Sequence, residues 1–80
     1  MSTKELRLYH LQRAIDAAGG VKQFARDNGV THQAIYLWRK KGVVPLDRAV
    51  MIERRQGIPA MNLVDPKLAS TVRQLIALNA

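Results

Sequence analysis

Apolar residues recur three and four positions apart along most of the chain, in short runs that glycine or proline interrupts. This spacing places side chains on one face of an α-helix, so the pattern predicts an all-α protein. In the first run, Ser2 followed by Glu5 is a capping-box pattern that marks a helix start, and the pair Gly19-Gly20 marks its end. The apolar face of this first helix consists of Leu8, Leu11, Ile15 and Ala18.

A second, shorter run predicts a helix that begins near Val21 and places Phe24 and Ala25 on its inner face. Gly29 can adopt the left-handed conformation that ends such a helix. Thr31 then supplies a side-chain oxygen that can satisfy the free amides at the start of a third helix. The sequence therefore predicts two short helices joined by a tight turn.

The third helix is predicted to begin near His32 and to end at Gly42. Ile35 and Trp38 share its inner face, so they should fix the angle between the second and third helices. The opposite face carries four residues spaced i, i+3, i+4 and i+7, namely Gln33, Tyr36, Leu37 and Lys40.

A fourth helix is predicted to open at Pro45 and to end at Gly57. Its inward-facing residues are Leu46, Ala49 and Ile52. Residues 58–64 contain a proline and predict a loop or a single turn, from which Met61 and Leu63 return to the core. These elements make a small bundle of about five helices, the last of them amphipathic and C-terminal.

The last helix has a strong start signal in Asp65 and Pro66, and one face of it is apolar. This C-terminal stripe consists of Leu68, Val72, Leu75 and Ile76. It must be buried against its own bundle, a second copy of the chain, or another protein. We favour a homodimer, because the helix lies outside the compact unit and a two-fold interface is self-complementary. We therefore divide the chain into a helix-turn-helix domain, residues 1–64, and a C-terminal amphipathic helix for dimerisation or partner binding, residues 65–80.

The exposed face of the third helix has side chains that suit the major groove of DNA. Gln33 can pair with an adenine edge, Leu37 can contact a thymine methyl group, and Lys40 can reach a guanine or a phosphate. Thr31 and His32 lie at the helix N-terminus, where amides and hydroxyls favour phosphate oxygens.

A simpler interpretation of this face is that Tyr36 and Leu37 cap a core and that residues 39–41 are a solvated basic run. We disfavour it, because neither side chain shares the face that Ile35 and Trp38 occupy.

The chain is strongly basic, with thirteen Lys and Arg against six Asp and Glu and a net charge of +7. Such an excess attracts polyanions, but it does not distinguish DNA, RNA and an anionic membrane. It is concentrated between residues 21 and 41, where Asp27 is the one acidic residue beside five basic ones. RNA is disfavoured, since one Trp, two Tyr and one Phe do not predict an exposed platform for stacked bases.

Other classes of function find little support in the sequence. The chain has no cysteine, which excludes disulfides and thiolate zinc sites and fits a reducing compartment. His10 and His32 have no partners spaced as a catalytic triad or a metal motif. The N-terminus lacks a signal sequence and no apolar run approaches membrane-spanning length. We therefore expect no catalytic residue, metal or cofactor, and a cytoplasmic protein.

Residues 18–42, AGGVKQFARDNGVTHQAIYLWRKKG, resemble the phage Cro-type repressors and the YdaS-type antitoxin family, whose members carry a similar glycine-bounded helix pair ending in a tryptophan. Residues 43–57, VVPLDRAVMIERRQG, extend the similarity, which covers roughly residues 10–65. The resemblance implies a Cro/repressor-like helix-turn-helix fold and a small sequence-specific regulator that binds double-stranded DNA, often as a dimer on its operator. It also implies a nucleoid-associated protein encoded by a bacterium or a phage.

The sequence departs from the pattern of these families in three ways. Asn28 stands where an apolar residue is usual, and Tyr36-Leu37 replaces the polar pair that commonly precedes the tryptophan. Val21 stands where related proteins often have a phosphate-contacting glutamine, so Lys22 or Gln23 would supply that contact.

Carried over position by position, the resemblance assigns the recognition-helix contacts to bases to Thr31, His32, Gln33, Tyr36, Leu37 and Lys40. Contacts to phosphates are predicted for Lys22, Gln23, Arg26, Arg39 and Lys41. The leading hypothesis is a Cro-like transcriptional repressor that binds a palindromic operator as a homodimer through residues 31–41. The alternative is an antitoxin or phage regulatory protein whose main role is to bind another protein through its C-terminal helix.

Overall fold

The computed structural model describes residues 2–79, and within them the chain is all-α, as predicted. Five α-helices and one 3₁₀ turn follow in the order α1 Thr3–Ala18, α2 Val21–Asn28, α3 His32–Lys41, α4 Leu46–Gln56, the 3₁₀ turn Ala60–Asn62, and α5 Pro66–Asn79. Each of these described helices is too short or too polar to span a lipid bilayer.

The starts of α1 and α5 carry side-chain caps that the sequence predicts. The backbone N–H of Glu5 donates to Ser2 Oγ at 3.1 Å at the start of α1. At the start of α5, the N–H of Lys67 donates to Asp65 Oδ1 at 2.8 Å. Each cap satisfies an amide that has no partner within its helix.

The turn between α2 and α3 is also formed by hydrogen bonds between residues that are close in the sequence. Gly29 adopts the left-handed conformation, with φ of 62°, and the N–H of Val30 donates back to the Ala25 carbonyl at 3.0 Å. The hydroxyl oxygen of Thr31 then accepts a hydrogen bond from the N–H of Ala34 at 3.1 Å, which caps α3. The predicted turn and cap are therefore confirmed.

The core draws on all five helices and on the connection before α5. Its buried apolar residues are Leu11, Ala14, Ile15, Phe24, Ala25, Ile35, Trp38, Val44, Ala49, Ile52, Ile58, Ala60, Leu63, Val64 and Ala69. The connection contributes more than the sequence predicts: Met61 is half-buried, while Ile58, Ala60, Leu63 and Val64 are buried. The N–H of Val44 donates to the Leu63 carbonyl at 2.9 Å, so this connection is also tied to the segment after α3.

The buried residue that departs from the apolar pattern is Asn28, at the end of α2. Its side chain is 2% exposed, and its amide nitrogen donates to the Phe24 carbonyl at 3.0 Å and to Gln56 Oε1 at 3.1 Å. A polar link from α2 to α4 thus replaces the expected apolar contact. The Asn28 Oδ1 atom is buried without a hydrogen-bond partner, which is unfavourable.

The helix α5 leaves its apolar stripe largely exposed. Ala69 is its buried residue and packs into the core, while Val72 is half-buried. Leu68, Leu75 and Ile76 of the predicted stripe are 36%, 54% and 62% exposed. The bundle therefore leaves most of this stripe exposed, and what covers it stays a prediction. The division at residues 64 and 65 stays a prediction, and the outer ends of the two ranges, Met1 and Ala80, lie outside the described residues.

The C-terminal end of α3 is held by α1. Gly42 ends α3 with φ of 76°, and its carbonyl accepts a hydrogen bond from Arg7 Nε. A Cβ atom at Gly42 would lie 2.5 Å from Lys4 Cγ. Glycine is therefore favoured here by backbone conformation, and a Cβ atom would also force the exposed Lys4 side chain of α1 to move.

Gly42→Ala should lower the free energy of unfolding by more than Gly57→Ala does. Both glycines have φ of 76°, so both alanines carry the left-handed penalty of about 1–2 kcal/mol, but nothing lies within 4 Å of a Cβ at Gly57. Urea unfolding measures the difference. The double substitution Lys4→Ala with Gly42→Ala should return the loss to the Gly57→Ala level. Equal losses of unfolding free energy in the two single variants would show that the contact with Lys4 of α1 does not disfavour a Cβ atom at residue 42.

Asn28→Leu should leave the free energy of unfolding unchanged or raise it, whereas Asn28→Ala should lower it by about 1–3 kcal/mol. Leucine removes the unsatisfied Oδ1 atom and has the same branched outline as asparagine, although it is larger, and half-buried Gln56 can turn to water. Alanine leaves a cavity. Urea unfolding of the two variants tests this, and a leucine variant as unstable as the alanine variant would contradict it.

Candidate nucleic-acid interface

The orientation of α3 follows from the burial of its inner face. Ile35 is 1% and Trp38 7% exposed, and both belong to the core cluster. Because a helix turns by about 100° per residue, burying this face turns the opposite face to solvent. The surface of α3 is thus set by packing, independently of any ligand.

The residues predicted to contact bases lie on the exposed part of α3 and at its start. All six are exposed: Thr31, His32, Gln33, Tyr36, Leu37 and Lys40. Tyr36 and Leu37 are 62% and 44% exposed, so they do not cap the core. Gln33, Tyr36, Leu37 and Lys40 share the outer face, whereas Thr31 and His32 lie at the N-terminal end.

The N-terminus of α3 has features that favour an anion. No acidic residue occupies its first turn, and the three basic residues of its last turn lie at the opposite, negative end of the helix dipole. Thr31 Oγ1 already accepts a hydrogen bond from Ala34, but its hydroxyl hydrogen can still donate to a phosphate oxygen. Backbone amides and a hydroxyl thus converge where the chain enters α3.

The residues predicted to contact phosphates are all exposed, but two of them are engaged within the protein. Lys22, Arg26 and Lys41 make no side-chain hydrogen bond or ion pair in the described part of the chain. Gln23 Nε2 donates to Asp27 Oδ1 at 2.7 Å, along α2. Arg39 Nη2 donates to Gln12 Oε1 at 3.1 Å, which directs this arginine toward α1.

The positive charge around α2 and α3 is not neutralised by neighbouring carboxylates. Over residues 2–79, the ion pair within 4.0 Å joins Arg48 to Asp47 at 3.9 Å, on α4. The basic residues of α2 and α3 therefore keep their full charge toward solvent. This positive surface agrees with the concentration of basic residues in the sequence.

One basic residue near α3 was not predicted from the sequence. Arg48 of α4 lines an open groove together with Thr31 and Ala34. It is therefore near the N-terminal end of α3, although its pairing with Asp47 offsets part of its charge. The sequence places Arg48 in the first turn after Pro45, but its proximity to α3 can be recognised only when the packing of α4 against α3 is known.

A second groove borders the outer face of α3 on the side of α5. Leu37, Trp38 and Lys41 line it from α3, and Asp65 and Leu68 line it from the start of α5. Leu68 of the C-terminal stripe and Leu37 of the outer face thus border one apolar groove. Within residues 2–79, no three His, Asp or Glu side chains lie close enough together to hold a metal ion.

Comparison with known proteins assigns the chain to a family. A model of the family described as Bacterial toxin YdaS matches residues 11–62, well over half of the chain. The comparisons with curated proteins and with solved structures give no match. The matched region runs from α1 to the end of the 3₁₀ turn, so it contains α2, α3 and α4 and excludes α5.

The match confirms the predicted YdaS-type resemblance, although the family description names a toxin where the sequence led us to expect an antitoxin. The resemblance to Cro-type repressors stays a prediction. From its helix pair and this match, the chain belongs to the YdaS family.

Proposed function

We propose that this protein is a small transcriptional regulator that binds double-stranded DNA in a sequence-specific manner, with α3 as the recognition helix. The observation that carries the proposal is the outer face of α3, which is exposed and flanked by basic residues without an ion-pair partner. The N-terminus of the helix is capped by Thr31 and is open to solvent. An α-helix of this kind fits the major groove, where base edges can be distinguished. Family membership supports a small regulator. The role requires no catalytic residue, metal or cofactor.

The contacts divide by chemistry into two classes. Gln33, Leu37 and Lys40 present an amide, a methyl-rich surface and an ammonium group that suit base edges. Lys22, Arg26 and Lys41 present cations that suit phosphates, which fix orientation without selecting sequence. We expect Arg39 to contribute less, because its guanidinium is engaged with Gln12.

A homodimer on a palindromic operator is the arrangement we favour. The chain measures 39 × 25 × 18 Å, so two copies side by side can place their α3 helices about 34 Å apart, one turn of DNA. The exposed leucines and isoleucine of α5 offer an apolar surface for the contact between copies. In this arrangement the protein represses transcription by occupying promoter DNA.

Gln33→Ala and Leu37→Ala should lower affinity for a selected duplex by roughly tenfold or more while leaving affinity for random duplex nearly unchanged. Each removes a base contact worth about 1–3 kcal/mol. Lys41→Ala should lower the affinity for both duplexes by the same factor and reduce the slope of log affinity against log salt concentration by about one. Fluorescence anisotropy over a salt series measures all three variants.

The matched control for these variants is Gln74→Ala, which removes an exposed amide from α5, far along the chain from α3. It should leave both affinities unchanged. If Gln33→Ala bound both duplexes like the wild type, the assignment of the outer face would be wrong. Because Tyr9 and Tyr36 are exposed, a single-stranded RNA competitor is included; preferential binding to it would contradict the proposal.

A second candidate function is the capture of another protein, as an antitoxin or phage regulator, through α5. The observation that favours it is the exposure of α5, whose Ile76 and Leu78 are 62% and 81% exposed and which lies outside the family match. In this case DNA binding is secondary. The oligomeric state of the free protein distinguishes the two candidates.

Leu68→Ala combined with Ile76→Ala should convert a dimer into a monomer of 9.0 kDa in sedimentation equilibrium at micromolar concentrations. Alanine preserves the helix and removes apolar area from the interface. Gln74→Ala is again the control and should leave the dimer intact. A wild-type protein that sediments as a monomer throughout would reject the homodimer and favour capture of a different protein.

A further inference from the structure

A cavity of about 190 Å³ lies between α1, the 3₁₀ turn and the first half of α5, apart from the outer face of α3. Its polar walls come from Arg7 and His10 of α1, Asn62 of the 3₁₀ turn and Arg73 of α5. Apolar side chains, among them Leu6, complete the lining. Basic and apolar side chains therefore line the same cavity.

The two arginines have no acidic partner. No Asp or Glu lines the cavity, and neither guanidinium lies within 4.0 Å of a carboxylate in residues 2–79. Arg7 uses Nε on the Gly42 carbonyl, which holds the side chain in place and leaves its two terminal amino groups to donate. Arg73 makes no side-chain hydrogen bond in the described part of the chain. Two like charges at one cavity repel each other, and an anion between them removes that repulsion.

His10 lies in the same wall, but its Nδ1 atom is not open to the cavity. The Nδ1 atom of His10 is buried and has no hydrogen-bond partner in the described part of the chain. The ring packs edge to face against Tyr9, with ring centroids 5.4 Å apart. Because Nδ1 is buried, a ligand in the cavity does not reach it, and the two arginines are the charged donors available to an anion.

We propose that this α1–α5 cavity binds a small organic anion, a phosphate monoester or a carboxylate with a short apolar body. A planar guanidinium donates two parallel hydrogen bonds to such a group, and the apolar wall accommodates the body. The volume lies below the roughly 300–1,000 Å³ of sites for drug-sized ligands, so it fits a small anion or the charged end of a larger one.

The position of the cavity gives such a ligand a regulatory effect. Arg7 belongs to α1 and Arg73 to α5, and the buried contact of α5 with the bundle is Ala69. An anion held by both arginines would add a second attachment of α5 to the bundle. It would thereby fix the orientation of the C-terminal stripe relative to α3.

The test is a titration of the ¹⁵N-labelled full chain with mono-n-butyl phosphate at constant ionic strength, followed by amide chemical shifts. Saturable shifts are expected in residues 3–10 and 61–73, together with slower amide hydrogen exchange in α5. Butanol, which lacks the charge, should cause neither change. An absence of saturable shifts into the millimolar range would overturn the proposal.

Two matched variants separate a site from general charge attraction. Arg73→Gln should weaken butyl phosphate binding by tenfold or more, and Lys67→Gln, which removes the same charge from an exposed position of α5 outside the cavity, should not. Circular dichroism confirms that both fold, since neither side chain supports the core. Equal weakening in the two variants would overturn the proposal.

DNA phosphate is the competing occupant of these arginines. Under the proposal, Arg73→Gln binds duplex DNA like Lys67→Gln, and duplex DNA does not displace butyl phosphate from the wild-type chain. If Arg73→Gln alone lost DNA affinity and duplex displaced the anion, the cavity would be part of the DNA interface and the small-anion site would be rejected. These outcomes do not depend on whether α3 is the recognition helix.

Discussion

The burial of Ile35 and Trp38 is the constraint on which the rest of the molecule depends. These two side chains fix the rotation of α3 about its axis, so the same packing that closes the core decides which residues face solvent. The tight turn at Gly29 and the hydrogen bond from Arg7 to Gly42 hold the two ends of α3. A rigid, outward-facing helix therefore results from ordinary core packing, and its exposed side chains can vary without loss of the fold.

Local signals made most of this fold predictable from the sequence. Caps such as Ser2 and Thr31 and left-handed glycines such as Gly29 act over three or four residues, so they can be recognised directly in the sequence. Long-range contacts were harder to predict from the sequence. The hydrogen bond from Asn28 to Gln56 and the placement of Arg48 beside α3 depend on how helices cross, which periodicity does not specify. The exposure of Gln33 and Leu37 was predictable because it is the complement of a buried face.

The helix α5 shows where periodicity is insufficient. Periodicity identified its apolar stripe, yet it could not say that Ala69 would provide the buried contact of this helix with the bundle. The small side chain of Ala69 permits close approach, while the larger Leu68 and Ile76 remain exposed. The family match ends at residue 62, before α5 begins. Under the proposed anion site, the cavity beside α5 connects this helix to a small anionic ligand.

The central claim, that the outer face of α3 recognises a DNA sequence, is tested most directly by selection of bound duplexes from a random double-stranded pool. Physiological salt is required, because it suppresses binding that depends on charge alone. The account predicts a palindromic consensus with half-sites about one helical turn apart. Recovery of no consensus by the folded protein would contradict it and would leave capture of another protein through α5 as the better explanation.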